Sequence, residues 1–191
     1  MSYRITLYNE PVLREKGSPV TTFDADLRTW ARGMVATMHE ADGIGLAAQQ
    51  VGVPKMFCVV EVRAPRGEIR CRLDGKECPP ELLMPLYMAN PEIVEKGSET
   101  CLYEEGCLSI PEIRAEVERP DAITVTYQDL DGEVHRLECD GLLSRCIQHE
   151  VDHLHGILFI DHLDRKTLFG LEKKLKRLRR QTRDFLRSGQ A

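Results

Sequence analysis

No stretch of this chain approaches the roughly 18 consecutive apolar residues that a membrane-spanning helix requires, and Met1-Ser2-Tyr3-Arg4 lacks the apolar core of a secretory signal. Both absences exclude the common helical membrane classes and predict a cytoplasmic protein. Internal repeats are also lacking, which excludes a solenoid or propeller. The seven cysteines, at 58, 71, 78, 101, 107, 139 and 146, are odd in number and form no tight sequence pairs, so no disulfide framework is expected. What is present is a globular composition, 42% apolar and 30% charged over 191 residues. That length fits one domain spanning 1–191, able to bury roughly two thirds of its unfolded surface.

Charge is distributed unevenly. Between Arg165 and Arg187 ten Lys/Arg face only Glu172 and Asp184, a net +8, which leaves −13 on the rest of a chain whose total is −5. An acidic body ending in a basic tail suggests that the tail meets a polyanion.

Periodicity places a helix at about Asp24 to Ala41, where Leu27, Trp30, Met34, Val35 and Met38 share a face. Met56 to Val62 and Met88 to Glu95 read as strands. Residues 64–85 mix charge, glycine and proline without a period and read as a loop or surface excursion. Ile123, Val125 and Tyr127 alternate with polar residues, Asp131-Gly132 turns, and Val134 to Cys139 returns, which predicts a hairpin. Asp140 is a candidate N-cap for a helix from Gly141 to His155, ended by Gly156. An amphipathic basic helix covers about 164–187. The irregular order of strands and helices predicts an α+β fold, with antiparallel or mixed sheets wrapped around the helix at 141–155 and further helices at either end.

That central helix carries the chemistry. His149-Glu150-Val151-Asp152-His153 has the HExxH form, with two imidazoles one turn apart on one face, suited to two positions of a tetrahedral metal ion. Glu150 is offset from that face, where a carboxylate can move protons without ligating the ion. Of the possible third ligands, Glu172 lies about twenty residues downstream, as in one metallopeptidase arrangement, but in a basic, surface-like stretch. No histidine follows His153 at the spacing of another. A structural, four-ligand site would need Cys146 or a nearby acid.

Three separated blocks resolve the choice. Gly43-Ile44-Gly45-Leu46-Ala47-Ala48-Gln49-Gln50, Glu105-Gly106-Cys107-Leu108-Ser109 and Gln148-His149-Glu150-Val151-Asp152-His153 together resemble, in order, the motif set of the peptide deformylases. The resemblance implies Cys107, His149 and His153 as metal ligands and Glu150 as general acid/base. It implies Gln50 and the backbone N–H of Leu108 as donors to the oxyanion. A thiolate ligand places more negative charge on the ion than a third histidine would, which leaves more of the activation of water to Glu150. The implied reaction removes the formyl group from the N-terminal formyl-methionine of nascent polypeptides. Ile44, Leu108, Cys146 and Ile147 are then expected around an apolar methionine pocket. Gly45, Glu105 and Gly106 are expected along the peptide, and Arg114 at the entrance. Asp152 is expected to pair with Arg119.

The resemblance further implies one divalent ion per chain, Fe²⁺ in the cell, with Zn²⁺, Ni²⁺ or Co²⁺ able to occupy the same donors. The basic C-terminal helix is expected to dock on the ribosome near the peptide exit, without sequence-specific nucleic-acid recognition, and the chain to act as a monomer. His155 and His162 read as surface residues, and His39 and His135 have no partner identifiable from sequence. The remaining cysteines read as small buried residues.

Overall fold

The computed structural model describes residues 2–63 and 69–188. Its helices are α1 (Ala25–Glu40), α2 (Gly141–Leu154) and α3 (Arg165–Arg187). Its strands are β1 (Gly45–Ala47), β2 (Phe57–Val60), β3 (Cys71–Leu73), β4 (Lys76–Glu77), β5 (Leu86–Lys96), β6 (Thr100–Cys107), β7 (Ile110–Pro120), β8 (Ile123–Gln128) and β9 (Val134–Cys139). One antiparallel sheet runs β1-β2-β5-β8-β9-β3-β4, and β6 pairs with β7 in a separate two-stranded ribbon.

The pleat of β2 explains how the layers are held. Successive side chains of a strand point to opposite faces, so Phe57 and Val59 join Met34 and Met38 of α1, while Cys58 and Val60 join Leu143, Ile147 and Val151 of α2. A strand buried on both sides needs an unbroken apolar run, and Phe57-Cys58-Val59-Val60 supplies one. A third cluster seats Ile110, Ile113 and Val117 of β7 against Phe159 and against Leu175 and Leu178 of α3. α2 is thereby enclosed between the large sheet and the ribbon.

Helix ends mostly follow local chemistry. Asp24 caps α1, accepting from Asp26 and Leu27 N–H at 3.1 and 2.9 Å, and Asp164 caps α3 in the same way. Asp140 behaves differently from expectation. It precedes α2, but its carboxylate accepts Arg70 N–H at 2.7 Å and makes no side-chain cap. Its side chain therefore ties β3's approach to the start of α2.

The expected loop at 64–85 lies outside the described residues at 64–68; beyond that it is more ordered than a loop. Cys71–Leu73 and Lys76–Glu77 form a hairpin whose β3 strand pairs with β9 in the register Cys71 to Cys139. Asp74 and Gly75, both at positive φ (51° and 78°), make the two-residue turn that suits the twist of adjoining strands. Three- and two-residue strands are too short to show a period. The β6–β7 ribbon also escaped the sequence reading, because β6 is exposed along most of its length and has no apolar alternation.

Candidate metal centre and active site

Three elements converge on one point. His149 and His153 project from α2 one turn apart, their ring centroids 5.0 Å from each other. Cys107 arrives at the end of β6, where a register shift between Gly106 and Cys107 turns the strand towards α2. Its Sγ lies 3.2 Å from His153 Nε2, although the two residues are 46 apart in sequence. One ligand atom from each of Cys107, His149 and His153 lies within 4.8 Å of the others. Burial raises the Cys107 thiol, but the adjacent imidazoles, His153 foremost, outweigh it and bring the group down to about 5. A thiol that yields thiolate beside two imidazoles is a donor set suited to a borderline or soft divalent ion.

Glu150 follows His149 on α2 and is buried, with Oε2 lacking any hydrogen-bond partner. Burial pushes its carboxyl up to about 7, with His149 and His153 opposing the rise. A buried carboxylate oxygen without a protein partner beside a three-donor cluster fits a site built for a metal ion and a polar reactant. Gly45 makes room for it. A Cβ on Gly45 would overlap Glu150 Oε1 and stand 2.9 Å from its Cδ and 2.8 Å from Cys146 Sγ.

Gln50 is held by a precise bond. Its Oε1 accepts Ala47 N–H at 2.8 Å, which turns Nε2 towards Ser109 Oγ at 3.3 Å and Cys107 Sγ at 3.5 Å. The donor end of the amide thus faces the site. Leu108 follows Cys107 in the turn, close to the first motif: a Cβ on Gly43 would meet Leu108 Cδ1 at 2.8 Å.

Glu105 borders the cavity, and its buried carboxylate turns inward, away from the opening. It accepts from His149 Nδ1 at 3.0 Å, Arg119 Nε at 2.6 Å and Arg145 Nη1 at 2.8 Å. Burial alone would raise Glu105, yet His149 and Arg119 hold it well below the usual carboxylate range. A carboxylate on Nδ1 fixes the tautomer that leaves Nε2 free to ligate. Arg119 also bonds Asp152 at 2.7 Å, as anticipated, and Asp152 accepts from His162 at 2.8 Å. Arg145 lies outside the three motif blocks, and only the packing brings it here; Ser109 closes the second block, and its contact with Gln50 is visible only in the structure.

The site opens into a cavity of about 540 Å³ bordered by Ile44, Gly45, Gly106, Leu108, Arg114 and Cys146, among others. Ile147 does not border it. It is fully buried on the sheet-facing side of α2, because the 100° step from Cys146 turns it into the core. Arg114 is largely exposed and lies 3.7 Å from Glu104. Glu172 is remote, paired with Lys176 on the exposed side of α3 at 2.8 Å, and takes no part in the cluster. His39 and His135 have partners after all, Glu61 at 2.7 Å and Asp74 at 2.9 Å.

The sequence profile of the polypeptide deformylase family matches residues 2–168. A peptide deformylase of Opitutus terrae is 53% identical over 184 residues, covering 96% of each chain. Among solved structures, the Thermotoga maritima peptide deformylase superposes with a TM-score of 0.74 at 41% identity, over 86% of this chain and 99% of that one. A plant peptide deformylase gives 0.82 at 32% identity, over 95% and 91%. Taken with the Cys107, His149 and His153 cluster and the α+β fold that builds it, these matches establish that the chain belongs to the peptide deformylases, hydrolases that remove the N-formyl group from nascent polypeptides.

Proposed function

We propose that this chain deformylates formyl-methionyl peptides with Cys107, His149 and His153 holding one divalent ion and Glu150 moving the protons. The observation that carries the reading is the convergence of those three donors beside the buried, unpartnered carboxylate oxygen of Glu150. A bound ion supplies Lewis-acid chemistry, polarising the formyl oxygen and making water more acidic. Glu150 accepts the proton of the attacking water and delivers it to the departing peptide amine. Gln50 Nε2 and Leu108 N–H donate to the oxygen that becomes negative as the formyl carbon turns tetrahedral, and the Ala47 bond that pre-orients Gln50 supports that role. Glu105 keeps His149 in its ligating tautomer.

Ile44, Leu108 and Cys146 border the cavity proposed for the methionine side chain, and Gly45, Glu105 and Gly106 line it where the peptide would run. Arg114 stands at the entrance. Fe²⁺ is the proposed cellular ion, and the same donors accept Zn²⁺, Ni²⁺ or Co²⁺. Among the described residues no helix is long and apolar enough to cross a membrane, and we place the enzyme in the cytoplasm as a single-domain monomer. Exposed Lys173, Lys174 and Arg183 on α3 support ribosome docking through a basic face; replacing them with Glu should weaken ribosome affinity and flatten its salt dependence.

The deciding experiment is anaerobic turnover of a formyl-Met tripeptide and its acetyl analogue by Fe²⁺- and Zn²⁺-loaded protein, with Glu150→Ala beside it. Formate release that requires the ion and Glu150 and spares the acetyl peptide supports the assignment. A filled site releasing no formate with either ion refutes it.

A further inference from the structure

Seven cysteines are present, and two of those outside the metal centre oppose each other in a way their spacing does not suggest. Cys71 opens β3, one residue before the Arg72–Glu77 pair, and Cys78 follows β4 across the hairpin, its N–H donating to the Cys71 carbonyl at 3.2 Å. Opposing residues of a hydrogen-bonded antiparallel pair have Cα atoms about 5.5 Å apart, inside the range that a disulfide spans. The two Sγ atoms are already 3.7 Å apart. Asp74 and Gly75 fix the two-residue turn, so the hairpin holds the sulfurs together without further ordering. Both residues border a second cavity of about 1070 Å³, separate from the metal centre, which gives a small oxidant access.

We propose that Cys71 and Cys78 are a redox-active dithiol that closes to a reversible disulfide on exposure to hydrogen peroxide. Cys78 is half-buried and reacts first. Cys71 is buried, and burial together with Cys78 beside it pushes its thiol up to about 12, which leaves the first attack on peroxide to Cys78. The Cys78 thiolate attacks one peroxide oxygen; an S–O bond forms, the O–O bond breaks, and hydroxide leaves to be protonated to water. Cys71 Sγ then attacks the Cys78 sulfur; the S–S bond forms, the S–O bond breaks, and the Cys71 proton leaves with the hydroxyl as the second water. The dithiol loses two electrons and two protons, and one peroxide becomes two waters. Cys139 is the competing partner, since it faces Cys71 from β9.

The test uses full-length, zinc-loaded protein pulsed with hydrogen peroxide and blocked with iodoacetamide under denaturing conditions; one half is mapped unreduced by mass spectrometry, and the other is reduced with dithiothreitol, relabelled with N-ethylmaleimide and mapped. The expected result is a Cys71–Cys78 cross-link, two hydrogens lighter than the dithiol and reversed by dithiothreitol. Cys139→Ser should retain it. Cys78→Ser, at a half-buried position, should abolish it and slow oxidation of Cys71 at least tenfold. Cys71→Ser should leave Cys78 as a sulfenic acid that dimedone traps. A Cys71–Cys139 link, or Cys71 and Cys78 still carrying the iodoacetamide label after Cys101 has been oxidised, overturns the proposal. If Cys71→Ser does not fold, wild-type mapping and Cys78→Ser decide it.

Discussion

Gly45→Ala separates catalysis from folding at one position. The added methyl would stand 2.9 Å from Glu150 Cδ, whereas carbon atoms prefer about 3.5–4.0 Å, so the carboxyl must retreat by roughly 0.6–1 Å. The atoms that yield are the tip of a side chain and the Cys146 sulfur, so the fold should lose little stability. The reaction should lose much more, because a misplacement of about 1 Å can cost roughly 10²-fold, or about 2.7 kcal/mol of barrier. Formate release from a formyl-Met tripeptide should therefore fall about a hundredfold in kcat, while binding of the one ion proposed for Cys107, His149 and His153 should be unchanged. Gly170→Ala is the matched control: its Cβ meets nothing within 4 Å, and in α3 it should be neutral or stabilising by up to about 1 kcal/mol. A Gly45→Ala enzyme with kcat within threefold of wild type would refute the claim that the carboxyl must sit where it does.

Glu105→Gln leaves Arg119 and Arg145 buried without their shared carboxylate and should destabilise by about 3–5 kcal/mol, read by chemical denaturation. Competition with a chelator should show metal affinity weakened about 10–100-fold through His149; unchanged affinity would remove Glu105 from its positioning role. Asp24→Ala removes the α1 cap and should cost about 1 kcal/mol with activity unaltered, so an equal loss of kcat would contradict the assignment. His135 is raised by its bond to Asp74, so its contribution to stability is fully present below its ordinary value of about 6.5 and is lost as pH climbs through the higher folded value. The stability gap between wild type and His135→Gln should accordingly be wider at pH 6 than at pH 9, and a gap independent of pH would count against this.

Local pattern was enough for α1, the β8–β9 hairpin and the limits of α2 and α3, because 3.6- and two-residue periods and capping residues act over a few neighbours. The same reach placed His149, Glu150 and His153 on one turn of helix. The sequence by itself also determined which donor types exist, and the three motif blocks pointed to Cys107 before any contact was known. Only tertiary structure decided that Cys107 meets His153 across 46 residues, that the Glu105 carboxylate turns inward to His149, and that Ile147 faces the sheet while Cys146 faces the cavity. It also decided that Cys71 and Cys78 lie sulfur to sulfur and that His135 finds Asp74. In each case the deciding energy is a long-range contact or the choice of which side of an element is covered, and a period records that an element has a buried face without recording what buries it.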